Sequence, residues 1–145
     1  MDLRASTGRA VVALLGAAGL ALAGCTSQTG DLESVDSPLA RYDWDATSGM
    51  SALLEGTLTL HDQCIYVASD TGEVVAAFPR SLTRWDADAQ TLFFDETPYA
   101  IGSPIAAGGG FIQPSDDIEG LSIPTACDLG EYGEVFLVQD TDLAP

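Results

Sequence analysis

Alternation dominates the middle of this chain. Leu54, Gly56, Leu58 and Leu60 fall at every second position, with Glu55, Thr57 and Thr59 between them. A period of two puts one set on a buried face and the other in water, which describes a half-buried strand and not a helix. His61-Asp62-Gln63 then reads as a tight polar turn, and Cys64-Ile65-Tyr66-Val67-Ala68 as the strand that returns from it. Asp70-Thr71-Gly72 makes the next turn, and Glu73 to Phe78 a third strand ended by Pro79. The three form an antiparallel meander.

Beyond the meander, Trp85 to Gln90 is expected as a loop and Thr91-Leu92-Phe93-Phe94 as the start of a fourth strand. Pro98 to Gly102 leads to a fifth around Ser103 to Ala107. Glu134 to Gln139, with Val135-Phe136-Leu137-Val138 inside it, is a buried last strand. Gly108-Gly109-Gly110 is expected at a tight barrel corner, since a phosphate cradle would need a helix start and usually a lysine. Ser115 to Gly120 is expected as one helical turn, with Ser115 as its cap and Gly120 as its stop. Six short strands and almost no helical periodicity predict an all-β fold. The expectation is a small antiparallel OB-like barrel of five to six strands, with a small β-sandwich as the alternative.

The N-terminal part is different in kind. Arg4 and Arg9 precede an uncharged run from Ala10 to Ala23, shorter than the roughly 20 apolar residues that cross a membrane. A charged start, a short apolar middle and small residues before a cut are the parts of a secretory signal. Leu22-Ala23-Gly24-Cys25 resembles the lipobox of bacterial lipoproteins, in which the cysteine sulfur receives a diacylglycerol before cleavage. The resemblance implies a signal peptide over 1–24 and lipidation of Cys25. It also implies anchorage to the cell membrane on its extracytoplasmic face, held stably by two acyl chains. An ordinary secretory signal, cut elsewhere, is the alternative. Residues 26–49, rich in Ser, Thr, Asp and Gly, are expected to follow the lipidated cysteine as a tether, making 25–49 one segment and 50–145 the β domain. Within the tether, Tyr42-Asp43-Trp44-Asp45 is expected to pack its rings on the domain.

With Cys25 assigned to the anchor, Cys64 and Cys127 remain, an even pair in a chain bound for an oxidising compartment. A disulfide between them is expected. Two buried thiols or half of a metal site are the alternatives, although two cysteines and a remote histidine lack zinc-ligand spacing. Charge excludes one class of partner. From Cys25 onward the chain keeps three arginines, Arg41, Arg80 and Arg84, against 21 carboxylates, and it has no lysine. Nucleic acid is excluded as a partner, because binding it requires clustered cations. The missing lysine points to a GC-rich genome or to a halophile.

Chemistry is sparse. A Ser-His-Asp site would have to use His61, the single histidine, which sits in a turn with no Gly-x-Ser-x-Gly elbow in the chain. Asp95 with Glu96, and Asp116 and Asp117 with Glu119, are acid pairs of the kind general acid–base catalysis uses. They are expected to be solvated loops. Calcium suits such oxygen ligands, with Asp116, Asp117 and Glu119 or Asp86 and Asp88 as candidates, but neither set has EF-hand spacing. Trp44, Trp85, Tyr99 and Tyr132 are expected to cap the ends of the barrel, with stacking on sugar or peptide as the alternative. No catalytic residue and no cofactor are expected.

Gly56-x-Leu58-x-Leu60, Cys64-Ile65-Tyr66-Val67, Phe78-Pro79, Gly102, Gly108-Gly109-Gly110, Ile123-Pro124 and Cys127 together resemble small lipid-anchored or secreted β domains of actinobacteria. That likeness, over Leu54 to Val138, implies a fold and an address but no catalytic residue. The expected role is a non-catalytic interaction or accessory module of the cell envelope, tied to the membrane through Cys25 and docking an envelope protein partner. A divalent-cation or cell-wall-glycan binding protein is the alternative.

Overall fold

The computed structural model describes residues 37–145. The expected signal peptide over 1–24, the expected lipidation site Cys25 and residues 26–36 lie outside the described residues. Nine strands follow one another in the described part: β1 (Ala40–Tyr42), β2 (Ala52–His61), β3 (Cys64–Ser69), β4 (Gly72–Pro79), β5 (Thr83–Asp86), β6 (Thr91–Phe94), β7 (Thr97–Ala100), β8 (Pro104–Ile112) and β9 (Val135–Val138). One 3₁₀ turn, Arg80–Leu82, separates β4 from β5.

The alternating stretch is β2, and the turns on either side of β3 stand where the sequence puts them. Asp62 and Gln63 have φ of 52° and 62°, the two positive values that a two-residue hairpin needs to match strand twist. Strands β4-β3-β2-β8-β9 form a sheet that closes on itself through a β4–β9 pair. That closing pair is parallel, Ala76 against Phe136 and Ala77 against Leu137. The barrel is therefore mixed and not purely antiparallel. Parity is the reason: five strands of alternating direction cannot close a ring without at least one parallel pair.

Two long strands make closure possible by changing partners midway. β2 pairs with β8 from Ala52 to Thr57 and with β3 from Thr57 to His61. Gly56 stands at the handover, where an added Cβ would run into the Ala68 carbonyl and the Val67 side chain. β8 passes from β2 to β9 at Gly109, where a Cβ would collide with the Leu137 carbonyl. The triple glycine is thus inside a strand that bends between two neighbours, not in a connecting turn. Close backbone approach is what requires glycine there.

Along β3, β4 and β9 both faces of the barrel wall are buried. Leu58, Ile65, Val67, Ala76, Phe78, Ile105, Phe136 and Val138 point inward and form one core. Their neighbours Cys64, Tyr66, Val75, Ala77, Val135 and Leu137 point outward into a second. β1 extends the sheet as a parallel neighbour of β4 and adds Ala40 and Tyr42 to the outer core. Residues 37–49, read from sequence as tether, therefore belong to the fold. Leu39, Ala40 and Tyr42 are buried, but a three-residue strand, Ala40-Arg41-Tyr42, is too short to show a period.

The segment between β4 and β8 holds a separate three-stranded sheet, β5-β6-β7. Trp85 and Asp86, expected in a loop, are the end of β5 and pair with β6. Asp95 and Glu96, with φ of 44° and 65°, form the two-residue turn from β6 to β7, so this acid pair is a hairpin device. Leu92, Phe94 and Tyr99 join the inner core, and Phe94 meets Phe78 edge to face with ring centroids 6.3 Å apart. The C-terminal Leu143 is fully buried beside them.

Candidate functional site

The connection between β8 and β9, residues 113–134, lies as a strap across the outer core. Ile118, Leu121, Ile123, Cys127 and Leu129 pack against it. A disulfide and several hydrogen bonds hold the strap, among them one from the Asp43 amide to the Glu119 carbonyl at 2.9 Å. Cys64 and Cys127 form the expected disulfide, Cα atoms 5.1 Å apart. Tyr66 Oη accepts a hydrogen bond from the Asp128 amide at 2.9 Å. Arg41 and Ser122 exchange two backbone hydrogen bonds. Arg80 joins Asp43 Oδ1 at 3.2 Å and donates to the Gly120 carbonyl at 2.8 Å. The helical turn expected from Ser115 to Gly120 is replaced by successive turns. Asp116 Oδ2 accepts from the Gln113 amide at 2.8 Å, a local bond that competes with helix. Gly120 takes a left-handed φ of 64°.

Two clefts open at the surface, the first of them beside the strap. The first, about 460 Å³, is lined by Tyr42, Asp43, Trp44, Asp45, Asp117, Ile118 and Glu119. Asp117 and Glu119 thus reach one cleft, while Asp116 is bound in the turn. Hydrogen bonds from the Thr47 amide and hydroxyl hold the Asp45 carboxyl below its usual range. Burial, followed by the nearby Asp45 charge, pushes the Tyr42 phenol well above its ordinary value, and its hydroxyl donates to the Val138 carbonyl at 2.6 Å. Trp44 Nε1 donates to the Ser48 carbonyl. Among the described residues no three of His, Cys, Asp and Glu converge in a way that could hold a metal ion.

The second cleft, about 580 Å³, runs between the first half of β2 and the tip of the β3–β4 hairpin. Leu53, Leu54, Glu55, Thr57, Ala68, Asp70, Val74 and Phe111 line it. Leu53 is 64% exposed, Phe111 47% and Met50 41%. Phe111 stacks edge to face on Phe136, and Met50 lies against Gly110. Two of the four large apolar side chains exposed among the described residues, Leu53 and Phe111, therefore line one cleft, and Met50 and Tyr132 lie outside that lining. Sequence reading missed this patch. The available signal was the Leu53-Leu54 pair, which breaks the alternation and must turn one leucine outward.

His61 lies at the end of β2, its ring stacked on Tyr66 at 4.4 Å. Nε2 meets the Glu73 carboxylate at 2.9 Å. That hydrogen bond raises its pKa, with a smaller contribution from Asp62. Of the aromatics expected to cap the barrel, Tyr99 belongs to the inner core and Trp85 packs against it. Trp44 walls the first cleft and Tyr132 is 76% exposed. No protein-family model, curated protein or solved structure matches this chain. No helix among the described residues is long and apolar enough to cross a membrane. The disulfide points to an extracytoplasmic location, where such bonds persist.

Proposed function

We propose that this chain is a lipid-anchored lipoprotein of the bacterial cell envelope, of the kind found in actinobacteria. In this reading it is attached to the membrane through Cys25 and acts as a non-catalytic module that docks an envelope protein. The observation that supports docking is the exposure of Leu53 and Phe111 along one open cleft. Contiguous apolar exposure on a small acidic domain marks an interaction surface. The Leu-Ala-Gly-Cys motif and the disulfide support the address.

Photo-cross-linking in intact cells tests the reading. A benzophenone side chain at Leu53 is expected to capture one envelope protein that the same group at Tyr132 does not. Identical captures at both positions would defeat it. Labelled fatty acid is expected to enter the protein and to be lost in Cys25→Ser; label retained in that variant would remove the anchor. A second reading, binding of a cell-wall glycan, is favoured by the Trp44 ring set among carboxylates in the first cleft. Quenching of tryptophan fluorescence by glycan fragments, absent in Trp44→Leu, would support it.

A further inference from the structure

Strand β2 is paired on both sides for only part of its length. Leu58 donates its amide to the Ser103 carbonyl and accepts from the Gly102 amide, so the even-numbered residues of β2 direct their peptide groups towards β8. Odd-numbered residues direct theirs to the opposite side. From Thr57 onward that side is β3, beginning with Thr57 against Ala68. Continued by two residues at a time, the register would set Glu55 opposite Asp70 and Leu53 opposite Gly72. The hairpin turns away at those very residues, since β3 ends at Ser69 and β4 begins at Gly72. The peptide groups of Leu53 and Glu55 therefore face the second cleft and not a neighbouring strand.

The cleft is shaped for an extended chain. Its closed end is Gly56, where the hairpin comes so near that a Cβ would strike the Ala68 carbonyl. Leu54 and Val74 line it from the core side, and Leu53 and Phe111 stand exposed at its edge. Glu55 and Asp70 supply charge. The basic side chains lie elsewhere: Arg80 is tied to Asp43 and Gly120, Arg84 lies over the Phe93 ring at 3.8 Å, and Arg41 is buried under the strap.

We propose that a partner binds here by strand addition. In this mode an extended peptide segment carrying alternating apolar and basic side chains pairs with the open edge of β2 at Leu53 and Glu55. Main-chain hydrogen bonds would supply affinity, and alternate side chains would supply choice. Apolar residues of the segment would enter against Leu54, Val74 and Phe111, and its cations would meet Glu55 and Asp70. The proposal rests on the docking reading above and adds to it the mode of binding and the chemistry of the occupant.

Amide hydrogen exchange, followed by NMR on the full chain, tests it with defined probes. One is a blocked nine-residue peptide alternating valine and lysine. The others are its valine–glutamate counterpart and the valine–lysine sequence N-methylated throughout. The first peptide is expected to bind saturably and to slow exchange at Leu53 and Glu55 at least tenfold. The glutamate and N-methylated peptides should bind at least tenfold more weakly. Glu55→Lys combined with Asp70→Lys, both exposed positions, should weaken the valine–lysine peptide by a similar factor while leaving the spectrum of the barrel core in place. Equal binding by the N-methylated peptide would reduce the contact to charge attraction and overturn the proposal. Binding without protection of the two amides would overturn it as well, as would protection already present in the free chain. If no probe binds while Leu53 still cross-links to a single protein in cells, strand addition is wrong and the docking reading stands.

Discussion

Replacing both Cys64 and Cys127 by alanine isolates the work of the disulfide. The bond spans 63 residues of sequence. In the chain-entropy description, closing a loop of that length destabilises the unfolded chain by about 4.3 kcal/mol at 25 °C. A two-state domain gains roughly 2.1 cal/mol/K of unfolding entropy per residue, so 109 described residues give about 0.23 kcal/mol/K and a fall in Tm of roughly 19 °C. The variant should still fold, because Tyr66, Arg41 and Arg80 continue to tie the strap. Denaturant and thermal melts of the oxidised parent and the double variant, by near- and far-ultraviolet circular dichroism, read both quantities. A fall of less than about 8 °C with an unchanged m-value would show that the strap is held by its packing and not by loop closure. A larger m-value would place the effect in the expansion of the unfolded chain, which is the mechanism assumed here.

Three further perturbations probe other layers of the fold. Phe136→Ala empties a fully buried site between the barrel wall and Phe111 and should cost about 3–5 kcal/mol in urea unfolding. Gly109→Ala drives a Cβ into the Leu137 carbonyl and should cost more than about 2 kcal/mol. Gly108→Ala, which meets only the Asp140 carboxylate at 3.3 Å, should cost less than about 1 kcal/mol, and equal costs would refute the partner-change account of the glycines. The His61 pKa is raised above its ordinary 6.5, chiefly by the Glu73 hydrogen bond. Its contribution is therefore complete below pH 6.5 and lost as pH rises through the folded-state value. The Tm of the parent relative to His61→Gln should decline over that interval, and a difference that grows with pH would contradict the pairing.

Regular patterns were legible in the sequence and local exceptions were not. The β2–β3–β4 meander follows from Leu54-Gly56-Leu58-Leu60 and from two polar turns, signals that need no tertiary context. The disulfide follows from cysteine parity. β1 was hidden because Leu39, Ala40 and Tyr42 owe their burial to β4, far away in the chain. The β5 strand was hidden because Trp85-Asp86 carries no alternation and is set by its partner Leu92-Thr91. The helical reading of Ser115 to Gly120 failed because Asp116 satisfies the Gln113 amide directly. The exposed apolar pair was hidden for another reason. Leu53 and Phe111 look like core residues, and only the early turn of the β3–β4 hairpin leaves them in water.

The arginines explain why the open cleft faces an acidic surround. Residues 37–145 contain eighteen carboxylates and three arginines. Arg41 binds the Ser37 hydroxyl at 2.7 Å and carries the backbone bridge to Ser122. Burial, then the neighbouring Arg80 charge, lowers its pKa. Arg80 clips Asp43 and Gly120 to one another, and Arg84 covers Phe93. Two of the three cations thus fasten the N-terminal strand and the strap to the barrel, and none lines the second cleft. Internal clips engage two of the three cations, and eighteen carboxylates leave the outer field predominantly negative. Such a field accelerates encounter with a basic segment and rejects acidic ones, and salt weakens both effects. Under the strand-addition proposal, selectivity at the β2 edge would be set before contact by charge, and after contact by whether the arriving chain can lie extended beside Leu53 and Glu55.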